Sequence, residues 1–264
     1  MKKVAIAIGL WTGVVCGEMK VEVSGIRVVT EGYSSKKDAM MGEIRAFNWS
    51  SGTSVALLVK SEGAKIVSLD EKKSKLSVFA DDQGTDFMKV KSQFTQDPYS
   101  FEWSEVSEDG VALGTTIESE GLPAKGAKSL VIKGELFVVT GSKFEEKKSG
   151  KLKVEKGSSF EAGDFKFKIS EAGKPKWGED PLAITLETSK DPSELQGIAF
   201  YGADGKEIES ESSGSGSMGM FGKMTHTLSF SLKEKPAEIV VGVSLWTDLE
   251  VVKVPLDLKV GAGL

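Results

Sequence analysis

The feature that most constrains the fold is an internal repeat that divides the 264-residue chain into two halves. Three segments of the first half recur in the same order in the second half. The pairs are residues 49–59 with 177–187, residues 79–87 with 200–208, and residues 116–138 with 229–251. A period of about 120 residues is too long for a solenoid repeat and suits a whole domain. The repeat therefore predicts two related domains in tandem.

Within both halves, apolar and polar residues alternate over short runs. Residues 165–169 read Phe-Lys-Phe-Lys-Ile, a pattern typical of a strand with one buried face. Helix start signals occur only at 34–47 and 191–197, and each segment suits one or two turns. Many short strands without long helices predict antiparallel sandwiches. We therefore predict an all-β protein of two tandem antiparallel β-sandwich domains, immunoglobulin-like or fibronectin-like.

The first 17 residues have the layout of a secretory signal peptide. Two lysines precede an uncharged stretch, Val4–Val15, and small residues follow it up to Gly17. The stretch is too short to span a bilayer, and its end suits a signal peptidase. The alternative is a buried first strand. Export predicts a periplasmic or extracellular protein with no membrane span in the mature chain.

These signals together set the expected domain boundaries. Residues 141–150 form a charged run with Gly and Ser, which is typical of a linker. The predicted segments are a signal peptide over 1–17, a first sandwich over 18–140, a linker over 141–150 and a second sandwich over 151–264.

Cys16 is the only cysteine, and it lies in the predicted cleavage region. Lipidation of Cys16 is an alternative, although the preceding Gly13-Val14-Val15 lacks the Leu-like residue of a lipoprotein signal. Cleavage after Gly17 leaves a mature chain without cysteine, which excludes disulfides, thiolate zinc sites and a cysteine nucleophile. The fold must then depend on core burial.

Charge and histidine content exclude several functions. The formal net charge of -5 gives no electrostatic reason to bind nucleic acid or anionic lipid. His226 is the only histidine, on the apolar face of an alternating segment, and no Gly-x-Ser-x-Gly motif accompanies it. One histidine does not build the usual zinc sites either. We therefore predict a non-enzyme, with a carboxylate-dependent hydrolase as the remote alternative.

Acidic residues cluster in the second repeated pair of segments. Residues 200–208 contain Asp204-Gly205, and residues 79–87 keep the aromatic residue, the glycine and the final apolar residue while the acids move. The shared features predict a turn between strands. Calcium is the one cofactor considered as an alternative, because it binds acidic loops. Its candidate ligands are Asp81, Asp82, Asp86 and Asp204.

Residues 209–223 are rich in glycine and serine and carry the apolar residues Met218, Met220 and Phe221. This composition predicts a flexible connection between strands. The alternative is a contact loop, because apolar side chains on a loop are typical of binding surfaces.

Aromatic residues offer a second candidate binding site. Trp49 and Trp177 are equivalent in the repeat and are expected to pack in the two cores. For Trp103 too, burial in the core is the expectation. The alternative is an exposed stacking platform, for which Trp103 is the best candidate because it is flanked by acids and close to Tyr99.

The sequence thus predicts an exported, non-catalytic binding or structural protein of the bacterial cell envelope. Its expected partner is a protein or glycan of the envelope or extracellular space. The alternatives are a secreted carbohydrate-binding module that uses an aromatic platform and, more remotely, the carboxylate-dependent hydrolase.

Overall fold

The computed structural model describes residues 19–30, 32, 51–90, 97–175, 178–220 and 223–261. Within these residues the regular structure is antiparallel β-sheet, with single 3-10 turns at Phe87–Lys89 and Pro192–Glu194. The predicted turn in 191–197 is therefore present, and the Asp191 side chain caps it. No helix of the described part is long and apolar enough to cross a membrane. The predicted signal peptide, Cys16 and the segment 34–47 lie outside the described residues.

The chain divides into two compact units, Met1–Phe137 with Lys253–Leu264, and Val138–Val252. The strands of the first unit, two of which extend past its boundary, are β1 (Met19–Val29), β2 (Gly52–Ser61), β3 (Lys65–Leu69), β4 (Lys75–Asp81), β5 (Ser100–Val106), β6 (Ala112–Ser119), β7 (Ser129–Gly141) and β18 (Glu250–Gly261). Those of the second unit are β8 (Phe144–Lys148), β9 (Leu152–Lys153), β10 (Ser159–Ala162), β11 (Phe165–Gly173), β12 (Leu182–Thr188), β13 (Leu195–Gly202), β14 (Glu207–Ile208), β15 (Ser210–Met220), β16 (Lys223–Leu232) and β17 (Glu238–Trp246).

The first unit has two antiparallel sheets. One has the order β1-β2-β6-β5, and the other has the order β18-β7-β3 with β4 also paired to β7. Alternate residues of β2 and β6, such as Val55, Leu57 and Ile117, are buried, which gives the first sheet one core face and one outward face. The rings of Phe79 and Phe87 meet edge to face at 4.7 Å in the core.

The second unit also has two sheets around one core. Their orders are β10-β11-β12-β16-β15 and β14-β13-β17-β8, with β9 also paired to β17. Phe200 of one sheet meets Phe230 of the other at 5.2 Å. The hairpin predicted around residue 163 is present as β10 and β11, in which Phe160 lies opposite Phe167 with their rings stacked. An all-β architecture consistent with β-sandwiches is therefore confirmed.

The two units share a strand arrangement, as the repeat predicts. The order β1-β2-β6-β5 has its counterpart in β11-β12-β16-β15, and β4 on β7 has its counterpart in β13 on β17. The equivalent strands β1 and β11 each carry a bulge at a serine, Ser24 in β1 and Ser170 in β11. Bulges are specific features of a strand pair, so this match supports the repeat beyond similarity of composition.

The acidic segments of the repeat form equivalent turns. The Asp81 N–H donates to the Thr85 carbonyl at 3.0 Å, and the Gly202 N–H donates to the Lys206 carbonyl at 2.8 Å. Both turns need a residue with positive φ, which is rare without glycine. The φ angles are 96° at Gly84 and 82° at Gly205. Residues 203–206 are therefore the turn between β13 and β14 that the sequence predicts within 200–208.

The domain boundaries differ from the expected tandem arrangement in two ways. The expected linker, 141–150, contains β8, whose residues pair with β17 from Phe144 to Lys148. The C-terminal strand β18 joins the sheet of β7, so its last residues, from Lys253, belong to the first unit. Charged residues suit β8 because it is an edge strand, where charge discourages pairing with other chains.

The glycine- and serine-rich segment is not a flexible connection, and that prediction is wrong. Residues 210–220 form β15, which pairs along its length with β16. Glycine and serine have low strand propensity, but propensity in sheets depends strongly on context, and here the alternating strand β16 supplies a complete hydrogen-bonding partner. The Met218 side chain is 65% exposed on this strand. Phe221 and the side chain of Met220 lie outside the described residues.

Candidate functional site

A β-bulge in the edge strand β5 displays Trp103. Glu102 lies opposite Thr116 and Glu105 lies opposite Gly114, so the β5 side has one extra residue. Trp103 has a φ of 55°, the only positive φ outside glycine among the described residues. Its side chain is 75% exposed. The expected burial of Trp103 in the core is therefore wrong, and the alternative, an exposed aromatic side chain, is what the structure has.

The backbone at Trp103 is strained. A left-handed conformation costs a residue with a Cβ about 1–2 kcal/mol. The neighbouring residue anchors the bulge, because Ser104 Oγ lies 3.1 Å from Thr115 Oγ1 and donates to Glu71 at 2.9 Å. Strain of this kind is concentrated at functional sites, and bulges often redirect a side chain there. The largest exposed aromatic side chain in the described part of the chain thus lies on a strained and anchored bulge.

Trp103 lies beside a depression on the outward face of the sheet β1-β2-β6-β5. Its volume is about 420 Å³. Small side chains form the floor, because Gly25, Ala56 and Thr116 occupy neighbouring positions on three strands. We call this surface the Trp103 face, and its lining residues are Gly25, Ile26, Arg27, Ser54, Ala56, Trp103, Thr116 and Glu118.

A polar row borders the floor of the Trp103 face. Arg27 Nη2 donates to Ser54 Oγ at 2.8 Å and to Glu118 Oε1 at 2.9 Å. Ser54 Oγ in turn donates to the same carboxylate oxygen at 3.3 Å. The side chains of Arg27 and Glu118 are each 32% exposed, so the row can meet a ligand. The face therefore combines an aromatic wall, an apolar floor and preorganised hydrogen-bonding groups, as ligand sites commonly do.

Tyr99, the expected companion of Trp103, has a structural role instead. Its hydroxyl accepts a hydrogen bond from the Leu76 N–H at 2.8 Å. Its ring meets that of Phe101 edge to face at 5.8 Å. Tyr99 does not line the Trp103 face. The structure therefore separates the two residues that the sequence combined in one platform.

The candidate calcium ligands of the first unit bind backbone groups. Asp81 is 5% exposed and accepts from three N–H groups, those of Gln83, Thr85 and Ala124. Burial raises the pKa of Asp81, but the donors together outweigh it and hold the pKa below its usual value. Asp82 Oδ1 accepts from the Lys128 N–H at 2.9 Å.

The other two candidates serve their turns in the same way. Asp86 caps the 3-10 turn by accepting from the Met88 N–H at 3.0 Å, and Lys89 lies 3.0 Å from its other oxygen. Asp204 accepts from the Lys206 N–H at 3.1 Å. Within the described ranges, no group of three His, Cys, Asp or Glu side chains is placed to hold a metal ion. These carboxylates therefore have a sufficient structural role as turn and cap acceptors.

His226 lies on β16 next to the edge strand β15. Its Nδ1 is 2.8 Å from Ser217 Oγ. Among the described residues, no carboxylate is hydrogen-bonded to the imidazole, and neither Ser217 nor His226 lines the Trp103 face. A serine nucleophile needs a base that a third group orients and donors for the oxyanion. The contact is a cross-strand pair of the hairpin.

Sequence reasoning missed the polar row of the Trp103 face. Period-two alternation places Arg27 on one face of β1 with Gly25, and Glu118 on one face of β6 with Thr116. That signal shows which residues share a face of their own strand. It does not show that β1 and β6 both flank β2, and Arg27 and Glu118 are 91 residues apart in the chain.

Comparison of the chain with protein-family models, with curated proteins and with solved structures gives no match. The binding function is therefore inferred from the geometry of the Trp103 face.

Proposed function

We propose that this chain is an exported, non-catalytic binding protein of the bacterial cell envelope. It consists of two related β-sandwich domains of the immunoglobulin-like or fibronectin-like kind, and the C-terminal strand completes the first. The signal-peptide pattern of residues 1–17 supports export. The observation that carries the binding function is Trp103, which is 75% exposed on a left-handed backbone beside a depression of about 420 Å³.

The energetic argument for binding is that the chain maintains a costly arrangement without a folding benefit. An exposed indole contributes little burial, and the left-handed backbone costs about 1–2 kcal/mol. A residue that disfavours folding is expected to be retained for function. Tryptophan is the residue type that most often dominates the energy of a binding surface.

The test is co-sedimentation of the purified mature chain with envelope fragments of the organism that produces it. We expect the wild-type chain to sediment with the fragments and Trp103→Ala to lose at least 10-fold in affinity. Phe144→Ala is the matched control, because Phe144 is an exposed aromatic (55%) on the second unit. Its binding should equal that of the wild type.

Equal binding by Trp103→Ala and the wild type would contradict the assignment of the Trp103 face. Export is tested separately by the intact mass of the chain recovered from cells, which should correspond to cleavage after Gly17. A full-length chain in the cytoplasm would contradict export.

A further inference from the structure

The Trp103 face has the shape expected for a flat ring. Gly25, Ala56 and Thr116 make a floor of small side chains, and Trp103 rises beside it. The volume of about 420 Å³ falls in the range of small-molecule sites, roughly 300–1,000 Å³.

The polar row suits hydroxyl groups. Arg27 and Glu118 form an ion pair at 2.9 Å, and Ser54 bonds to both. A carboxylate accepts up to about four hydrogen bonds, so the contacts with Arg27 and Ser54, which both fall on Oε1, leave acceptor capacity on Glu118. Adjacent donors and acceptors in fixed positions match neighbouring hydroxyls, each of which donates and accepts.

The electrostatics of the face disfavour an anionic ligand. Arg27 is neutralised by Glu118, and the residues that flank Trp103 on β5 include the exposed acids Glu102 and Glu105. Glu71 lies at the same bulge, bonded to Ser104. A carboxylate or sulfate on the ligand would therefore approach the carboxylates of Glu71, Glu102 and Glu105.

We infer that the Trp103 face binds an uncharged saccharide, with one pyranose face on the indole and its hydroxyls on the row of Arg27, Ser54 and Glu118. A pyranose has an apolar face of C–H groups, which pack against the negative face of an aromatic ring, and a rim of hydroxyls. This inference rests on the proposed function, because it names the ligand of the same face.

A quaternary ammonium ligand also favours tryptophan with nearby acids, and the structure argues against it. Such cations are bound in cages of several aromatic rings. On the described part of the Trp103 face, Trp103 is the only aromatic residue in the lining. A saccharide ring needs one aromatic side chain to stack on, whereas a quaternary ammonium cage needs several.

The test is a glycan array probed with the full mature chain. It presents neutral oligomers of glucose, xylose, mannose and N-acetylglucosamine beside uronate and sulfated oligomers. We expect neutral oligomers to bind, with a loss of at least 10-fold in Trp103→Ala and a smaller loss in Trp103→Phe, which keeps a ring. Ser54→Ala should weaken binding several-fold, because it removes a hydroxyl from the polar row.

A charge variant adds a second readout. The double variant Glu102→Gln, Glu105→Gln should leave neutral binding unchanged and raise the affinity for uronate oligomers at low salt, because the repulsion is removed. Thermal melts of every variant show that loss of binding is not loss of fold.

Three results would overturn the inference. They are preferential binding of anionic oligomers by the wild type, displacement of the ligand by choline, and absence of glycan binding while envelope fragments still bind in a Trp103-dependent way. The last result would leave the proposed function standing. Absence of binding to both glycans and envelope fragments would overturn both proposals.

Discussion

The strained backbone at Trp103 predicts that glycine and alanine variants have the reverse of their usual order of stability. In an ordinary strand position, glycine is less stable than alanine by roughly 0.5–1 kcal/mol, because glycine loses more backbone freedom on folding. At a left-handed position, alanine retains a cost of about 1–2 kcal/mol that glycine does not have. Trp103→Gly should therefore be more stable than Trp103→Ala by about 0.5–1 kcal/mol.

The predicted difference in stability between the two variants does not depend on how much the indole contributes to folding. Both variants lose the same side chain, so the burial of the remaining quarter of Trp103 cancels in the comparison. Glu102 provides the matched control, because it precedes Trp103 on β5, is exposed and has an ordinary φ. There, Glu102→Gly should be less stable than Glu102→Ala by roughly 0.5–1 kcal/mol. The difference between the two comparisons is the left-handed cost itself, about 1–2 kcal/mol.

The assay is urea-induced unfolding of the four variants, followed by far-UV circular dichroism so that the loss of an indole does not alter the signal. Thermal melts give a second measure, with about 2–4 °C per kcal/mol for a chain of this size. If alanine is more stable than glycine at position 103, as it is expected to be at position 102, then the left-handed backbone is wrong. The argument that Trp103 is retained at a cost would fail with it.

Three further predictions concern the framework. Asp81→Ala should lower the free energy of unfolding by about 2–4 kcal/mol in urea, because three backbone N–H donors lose a buried, charged acceptor. The exposed Asp82→Ala should cost less, and equal losses would contradict this. Hydrogen bonds from Ser142 hold the pKa of Asp248 at about 2, below the unfolded value of about 3.9, so the stabilisation is present above about pH 4 and is lost as the pH falls towards 2. The difference in Tm between the wild type and Asp248→Asn should therefore shrink over that range, and a constant difference would refute the assignment. Gly134→Ala should destabilise by about 1–3 kcal/mol in the same urea assay, because its Cβ would overlap the β4 backbone, and an unchanged midpoint would show that β4 can move away.

Local sequence determined the strands and many of their turns. Alternation of apolar and polar residues is a property of neighbouring positions, so it located the hairpin of β10 and β11 and the buried face of each strand. The need for positive φ is equally local, and the glycines of the two acidic segments identified equivalent turns. Comparison of the halves predicted the shared strand order because related sequences satisfy the same burial pattern.

Two other segments were not predicted as strands, because their strand structure depends on pairing with a distant strand. Residues 210–220 have the composition of a loop and form a strand because β16 pairs with them. Residues 144–148 have the composition of a linker and form a strand on the edge of β17. In both cases the stabilising hydrogen bonds come from a distant segment, which composition does not identify.

The sequence by itself determined an all-β chain with a repeated strand pattern, turns at particular glycines, and an aromatic residue at 103 beside acids. Tertiary structure alone decided that Trp103 is exposed, because one extra residue of β5 against β6 turns the backbone outwards. It also decided which polar groups accompany the indole, since sheet order brings Arg27 and Glu118 together across β2. Alternation is encoded in adjacent residues, whereas sheet order and register result from contacts between segments far apart in the chain.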